Sequence, residues 1–522
     1  MFRIDIYSEV KEGQDYIVKD TNMKEDGYGC FKKIQNKNID DLLVKVAELY
    51  VVLPIVIFMF GWLKLWITCI GAIILGVFFY KINESIVPKE SLINKKNIIF
   101  WIIVIIIACI WVYLSGIGSF VFQNDDYWVR NPIFRDLSTY QWPVIYDLSK
   151  ESQIVQQLCG NSKVAFSYYF CWWLPVSLVS KVFCFGEIGR NFLLYLWAIL
   201  AVFLIIYLLC RKVNKCSLIV PLVLVFFSGL DIIPYCLLNR AFPIVDHLER
   251  WATFFQYSSN TTQLFWVFNQ SLPIWVMVAL ILQLKDNRYI AGLSSLAFAY
   301  SPWATMGMVP IAIAGSIKDK KVIKNIFNMV NLAVPIIMLI VFGSFYMSST
   351  GSNGFFGTIF GQYPDSKKMI VYMYAIFIII EFGLYFLIIH NDRKNFDYNW
   401  VTLIELLFFP LFVIRDYNFT MRGTIPALFL LMYFVIKYLI DNREVKLKKV
   451  LLVIFLVIGS YTPITEINRT IKNTIGSSMY LQEEVGSFGN IQTTSEERIL
   501  VAKDQFFIYN YKNSIFFKYL SK

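Results

Sequence analysis

The chain has 522 residues, 57% of them apolar and 16% charged, and its mean hydropathy is +0.56. A soluble domain carries roughly 25% charged residues, so this composition excludes a water-soluble fold and predicts an all-α, polytopic transmembrane helix bundle. The net charge of +11 does not point to nucleic acid, because the basic residues sit in short loops between apolar runs, where cytoplasmic loops of membrane proteins carry them.

Residues 1–42 are polar, mixed in charge and carry no nameable chemistry; MFRIDIYSEVKEG lacks a basic-then-apolar leader, so no cleaved signal peptide is expected. From there the apolar runs give about thirteen spans: 43–61, 64–82, 98–118, 190–210, 217–231, 271–285, 289–302, 304–317, 327–347, 369–390, 399–415, 424–440 and 448–463. The short pair 289–302 and 304–317 also fits a half-depth hairpin around Ser301, Pro302 and Trp303. The bundle thus occupies 43–463, between a cytoplasmic segment (1–42) and an extracytoplasmic tail (464–522).

Orientation follows from lysine and arginine. With the N-terminus inside, the basic loops 81–97, 211–216, 318–326 and 441–449 are cytoplasmic. Loops 119–189 and 232–270 then lie outside with the C-terminal tail. This requires that the apolar stretch 167–183 does not cross; its Tyr168, Tyr169, Trp172 and Trp173 suit an amphipathic helix lying in the interface. Abundant Ile, Phe, Lys and Asn are compatible with an AT-rich bacterial genome, hence a bacterial cell membrane.

Two histidines, His247 and His390, exclude multi-histidine zinc sites, and nine cysteines with no CxxC pair give no disulfide framework. A bound metal would be an oxygen-liganded cation such as Mg²⁺ or Mn²⁺. No feature calls for a nucleotide or redox cofactor.

Four stretches carry candidate chemistry. In the first outer loop, Asn124-Asp125-Asp126 sets adjacent carboxylates at a membrane boundary, with Arg130 following. Such groups need work or partners. One of the pair suits a general base for an acceptor hydroxyl and the other a cation anchor; the same residues equally fit a helix N-cap salt-bridged to Arg130. The second outer loop gathers Asp246, His247, Glu249 and Arg250, followed by Tyr257 and Asn260 and flanked by Trp251 and Trp266. Polar groups alternating with rings are what carbohydrate sites use, with Glu249 an assisting carboxylate and Asp246 a possible cation ligand. If 247–262 is an α-helix, Glu249 points about 100° away from Arg250, and His247, Glu249 and Arg250 cannot all face one ligand. The stretch 414–428 places Arg415, Asp416, Asn418 and Arg422 between two spans; Arg422 fits equally a ligand for a lipid phosphate and an arginine snorkelling to the interface, whereas snorkelling explains Arg415. The Gly- and Ser-rich loop 345–368 is either a closing lid or an ordinary connection.

Taken together, Asn124-Asp125-Asp126 after a span, the 167–183 helix, and Phe185-Gly186 leading to Arg190 at the next span resemble the GT-C superfamily of membrane glycosyltransferases, which includes protein mannosyltransferases, oligosaccharyltransferases and the lipid A aminoarabinose transferase. The chain looks closest to Gram-positive polytopic members of unassigned substrate, and its N-terminal hairpin (43–82) departs from the better-known ones. The resemblance implies transfer of a sugar from a polyprenyl-phosphate donor to a cell-envelope glycan or glycolipid acceptor. Asp125 would be the base or cation anchor, assisted by Asp126 and Glu249 or Asp246. Arg422 would hold the phosphate, with Arg190 behind it. An envelope-polysaccharide polymerase or ligase and a lipid-linked oligosaccharide flippase are the alternatives, the latter keyed to Asp231, Glu381 and Glu405.

Overall fold

The computed structural model describes residues 22–149, 163–243, 247–285, 287–318, 324, 327–349, 356–390, 396–414, 418–441, 446–476, 485–487 and 506–522. In chain order the helices that matter here are α1 (Asn22–Trp62), α2 (Leu65–Ser85), α3 (Ile98–Leu114), α4 (Tyr127–Thr139), α5 (Leu174–Val182), α6 (Glu187–Val213), α7 (Ile219–Phe226), α8 (Ile232–Asn239) and α9 (Asn260–Ile281). They continue as α10 (Ile290–Ser295), α11 (Pro302–Lys318), α12 (Met329–Met347), α13 (Pro364–Ile389), α14 (Tyr398–Leu411), α15 (Asn418–Gly423), α16 (Ile425–Ile440) and α17 (Lys446–Gly476).

Among the described residues, seven helices are long and apolar enough to cross a membrane: α1 from Asn38, α2, α6, α9, α12, α13 and α17. Most of the remaining apolar runs form shorter helices, α3, α11, α14, α16 and Ile290–Ala299. The expected run 217–231 contains only the eight-residue α7, about 12 Å of helix against a hydrocarbon core of about 30 Å.

Among the described residues, the basic loops 81–97, 211–216 and 441–449 meet at one end of the bundle, where Lys212 and Lys215 share a cavity with Lys437 and Asp441. Lys89 Nζ donates to the Arg211 carbonyl at 2.9 Å, and Lys285 N to the Ser85 carbonyl at 3.0 Å. Lys449 Nζ donates to the Leu439 carbonyl at 3.1 Å. At this end Arg211 forks onto Asp40, with Nε to Oδ1 at 2.7 Å and Nη2 to Oδ2 at 2.9 Å. Tyr207 and Gln283 complete the network. Asp40 and Arg211 are both buried, so the pair ties the start of the apolar part of α1 to the end of α6 with its charges hydrogen-bonded.

The opposite end carries a small antiparallel sheet of Ile145–Asp147 (β1), Lys163–Phe166 (β2) and Phe507–Ile508 (β5), in the order β1-β2-β5. The tail is therefore stitched into the first long loop rather than lying by itself. Ser487 Oγ reaches Asp136 Oδ2 at 3.0 Å, an atom that also accepts from Tyr146 at 2.8 Å, and Leu520 accepts from Lys64 N at 2.9 Å between α1 and α2.

The 167–183 stretch folds as a 3₁₀ turn, Cys171–Trp173, and the nine-residue α5, too short to cross. Its tryptophans do not sit in an interface as expected. Trp172 and Trp173 are fully buried, the first donating to Tyr50 at 2.6 Å, while Leu178, Val179, Val182 and Phe183 are exposed. An indole at a bundle core satisfies both its apolar body and its N–H.

Helix α9 is the central post; 94% of its most apolar window is buried. It begins at Asn260, so the last part of the expected outer loop 232–270 is helix. Ser259 caps it by accepting from Thr262 N at 3.0 Å. Its polar first turns survive burial because Asn260 and Thr261 donate to the Leu224 and Val225 carbonyls. Val267 is non-helical, and Ser271 Oγ bridges the Gln263 and Val267 carbonyls across the break.

Candidate functional site

Asp126, His247, Glu249, Arg250, Gln256, Thr262, Trp266, Met421, Arg422 and Glu466 line one cavity of about 260 Å³. Thr262 opens α9, whose other end meets the basic loops, so the cavity lies roughly 30 Å of helix from them, at the opposite end of the bundle.

Asp126 reaches the cavity because Asn124 fixes the turn before α4. Asn124 Nδ2 donates to the Phe265 carbonyl at 2.8 Å, and its Oδ1 accepts from Asp126 N at 3.1 Å. No side chain caps α4. Asp126 instead accepts from Arg130 Nη2 at 2.7 Å, one helical turn on. Arg130 is 4% exposed, lies over the rings of Phe268 and Tyr127 at 5.2 and 5.8 Å, and leaves Nη1 without a partner. The neighbouring Asp125 is exposed and is not part of the cavity wall. Adjacent residues at the start of a helix diverge by about 100°, so only one of the pair can face the site, and it is Asp126.

Segment 247–259 is not a helix. A single 3₁₀ turn, Leu248–Arg250, precedes irregular chain, and His247, Glu249 and Arg250 all line the cavity. The divergence expected of an α-helix is thereby overturned: His247 and Arg250 are exposed at the mouth and Glu249 is buried at the floor. Glu249 Oε1 accepts from Ser259 N at 2.7 Å and Thr262 Oγ1 at 2.6 Å, and Oε2 from Gln256 at 3.2 Å. None of these donors is charged, so burial, then the nearby Asp231 and Glu466 carboxylates, push the Glu249 carboxyl up to about 8. Gln256 Oε1 has no partner; rotating that amide lets a protonated Glu249 donate to it and turns an N–H donor elsewhere.

Glu249 sets a pH dependence. Its folded-state value lies above the 4.5 of an exposed glutamate, so its stabilising contribution is fully present below about pH 4.5 and is lost as pH rises through about 8. The thermal midpoint of the detergent-solubilised protein is therefore expected to fall as pH rises from about 5 to about 8 and to level off above that, and to fall less in Glu249→Gln.

Glu466 was not legible as a site residue in the sequence. The last span was expected to end at 463, but α17 runs on to Gly476, and the amphipathic TPITEINRTIKNTIG delivers Glu466 and Arg469 at i, i+3. Arg469 Nη1 donates to Glu466 Oε1 at 3.0 Å, Trp266 Nε1 to Oε2 at 2.9 Å, and the guanidinium stacks over Trp266 at 5.1 Å. Behind this wall, Trp251 Nε1 donates to both Asp231 and Glu381, at 3.2 and 3.0 Å. A Cβ at Gly229 would lie 1.9 Å from Glu381 Oε2, so only glycine admits that carboxyl.

Arg422 reaches the cavity from the six-residue α15. A Cβ at Gly307 would sit 2.0 Å from the Gly423 carbonyl; α11 and α15 thus pack backbone against backbone, fixing the base of the Arg422 side chain. Gly307→Ala is expected to displace α15 and to lower the thermal midpoint of the detergent-solubilised protein, as measured by thermal unfolding.

The remaining expected residues lie elsewhere. Arg190 is buried at the start of α6, 3.6 Å from Glu187, and does not line the cavity; the i, i+3 carboxylate on its own helix holds it there. Asn418 opens α15, but its side chain, like Asp246, Arg415 and Asp416, falls outside the described residues. Among the described residues no group of three or more His, Cys, Asp or Glu side chains is arranged to hold a metal ion. Around the cavity Asp126 and Glu466 are each paired to an arginine and Asp125 stands apart, while Asp246, the other expected cation ligand, lies outside the described residues. In the loop 345–368, Phe356–Thr358 (β3) pairs with Phe412–Ile414 (β4), just ahead of α15.

The fold and cavity define a class: an all-α membrane helix bundle with a charged, partly enclosed cavity at the end opposite its basic loops. No family model, curated protein or solved structure matches the chain.

Proposed function

We propose that the protein is an integral membrane glycosyltransferase of the bacterial cell membrane, moving a sugar from a polyprenyl-phosphate donor to a cell-envelope glycan or glycolipid on the outer side. The observation that supports this most is the convergence of Asp126, Glu249, Arg250, Arg422 and Trp266 on one cavity from separate stretches of the chain. The positive-inside rule puts the lysine-rich end and N-terminus in the cytoplasm, and hence the cavity and C-terminus outside.

In such a transfer an acceptor hydroxyl attacks the anomeric carbon, and the bond from that carbon to the phosphate oxygen breaks with inversion. The hydroxyl proton passes to the Asp126 carboxylate, which Arg130 orients. Arg422, with Arg250 at the mouth, neutralises the departing lipid phosphate. Trp266 offers a face for the sugar ring, and protonated Glu249 a hydrogen-bond donor.

Arg422→Lys keeps the charge but loses the planar fork, and is expected to lower kcat/KM for the donor at least tenfold. The deciding assay uses purified protein in nanodiscs with a synthetic polyprenyl-phosphate sugar, with and without Mg²⁺ or Mn²⁺, and follows free polyprenyl phosphate. No release under any condition, with or without a glycan acceptor, would remove the transferase.

One observation favours a second reading, a flippase or transporter. Glu48, Asp231, Glu381 and Glu405 are buried within or beside the bundle's helices, Glu381 on a π-helical turn, and intramembrane acids commonly mark transport paths. Leaflet exchange of the same lipid without release of polyprenyl phosphate would select it.

A further inference from the structure

A second cavity, of about 480 Å³, opens at the basic end between the ends of α6 and α16, lined by Lys212, Lys215, Tyr433, Lys437 and Asp441 with Val213, Asn214 and Ile440. It is independent of the site above and of the function proposed for it. Its ammonium groups outnumber its single carboxylate by three to one. Lys212 is committed in part to the α9 C-terminus, where its Nζ donates to the Leu282 carbonyl. Lys437 and Asp441 lie one turn apart on α16, so one carboxylate offsets one ammonium and the cavity remains net positive.

Lys215 is directed over the cavity by the chain reversal at Asn214, a left-handed residue (φ 56, ψ 37) that ends α6. Lys215 N returns to the Cys210 carbonyl at 3.1 Å. Both flanking helices are apolar, and Val213 and Ile440 are their last helical residues. The mouth therefore lies where a bilayer has its headgroups. Tyr433, seven residues before Ile440, sets the floor roughly 10 Å deeper. A charged mouth over a deeper, less polar floor matches an amphiphile, and basic pockets between membrane helices are suited to lipid phosphates.

We propose that this cavity binds the phosphate headgroup of an anionic membrane lipid, with Lys215 and Lys437 as its principal ligands. Free inorganic phosphate presents the same anion without the chains, and the deeper floor favours the lipid.

The test uses the full chain in detergent, partially delipidated and re-exposed to phosphatidylglycerol or phosphatidylcholine, with bound lipid counted by native mass spectrometry. The wild-type protein is expected to retain phosphatidylglycerol over phosphatidylcholine, and the double variant Lys215→Gln, Lys437→Gln to lose about tenfold of that preference. Asp441→Asn removes the one carboxylate that lines the cavity among the described residues and is expected to increase retention, a gain that misfolding cannot imitate. Millimolar inorganic phosphate is expected not to displace the lipid. Equal retention of the two lipids by the wild type, or an unchanged preference in both variants, would overturn the proposal. Displacement by inorganic phosphate would overturn the lipid as its ligand and leave a simple anion site.

Discussion

Asp126→Asn is expected to slow the proposed sugar transfer by about 10²–10⁴-fold, the usual worth of a positioned general base, whereas Asp125→Asn is expected to leave the rate unchanged. Both substitutions conserve size, so the comparison separates chemistry from packing. The asymmetry comes from tertiary placement. Asp126 forms part of the cavity wall, salt-bridged to the buried Arg130 at 2.7 Å, while Asp125 is solvent-exposed. Asn at 126 keeps a hydrogen-bond acceptor for Arg130 Nη2 but cannot take a proton from a hydroxyl. The measurement is release of polyprenyl phosphate, read beside circular dichroism and gel filtration to show that both variants fold. Loss of transfer in Asp125→Asn with retention in Asp126→Asn would assign the base to the other carboxylate, and retention in both would remove the pair from the mechanism.

The second large effect concerns stability and lies at the other end of the bundle. Arg211→Met is expected to destabilise the detergent-solubilised protein by about 3–5 kcal/mol, because it strands a buried Asp40 carboxylate. Asp40 loses a two-pronged ion pair and keeps only the Tyr207 hydroxyl and the Lys89 backbone N–H as donors. Removing both charges in Asp40→Leu, Arg211→Met is expected to recover most of the loss, since well-packed apolar residues can replace a buried ion pair at little cost. Chemical-denaturant or thermal unfolding of the three proteins checks this. A single variant as stable as the wild type would show that the pair contributes nothing. A double variant as unstable as the single would show that packing, not the stranded charge, sets the cost.

Several elements were legible because they depend on composition and local period alone. The apolar runs at 43–61, 64–82, 190–210, 327–347 and 369–390 correspond to helices long enough to cross a membrane, since about 20 consecutive apolar residues can satisfy their backbone in lipid only as helix. Gathering of the basic loops at one end follows from the same threading. Boundaries were harder to read wherever a helix carries polar residues. Asn260–Gln263 looks like loop but opens the most buried helix, because capping by Ser259 and donation to the α7 carbonyls pair its polar groups. Likewise α17 continues past 463 because Glu466 and Arg469 pair with each other and with Trp266.

The sequence by itself determined that this is a helical membrane bundle with a charge-asymmetric threading, and it singled out most of the stretches that meet at the cavity. Tertiary structure decided which residue of each stretch arrives there. It chose Asp126 over Asp125 through the Asn124 hydrogen bond to α9. It brought His247, Glu249 and Arg250 together by replacing a helix with one 3₁₀ turn, left Arg190 on Glu187, and added Glu466. The physical reason is that hydropathy is a property of runs of residues, readable over a window, whereas a site depends on the direction of single side chains. Those directions are set by buried hydrogen bonds and ion pairs between segments far apart in the chain.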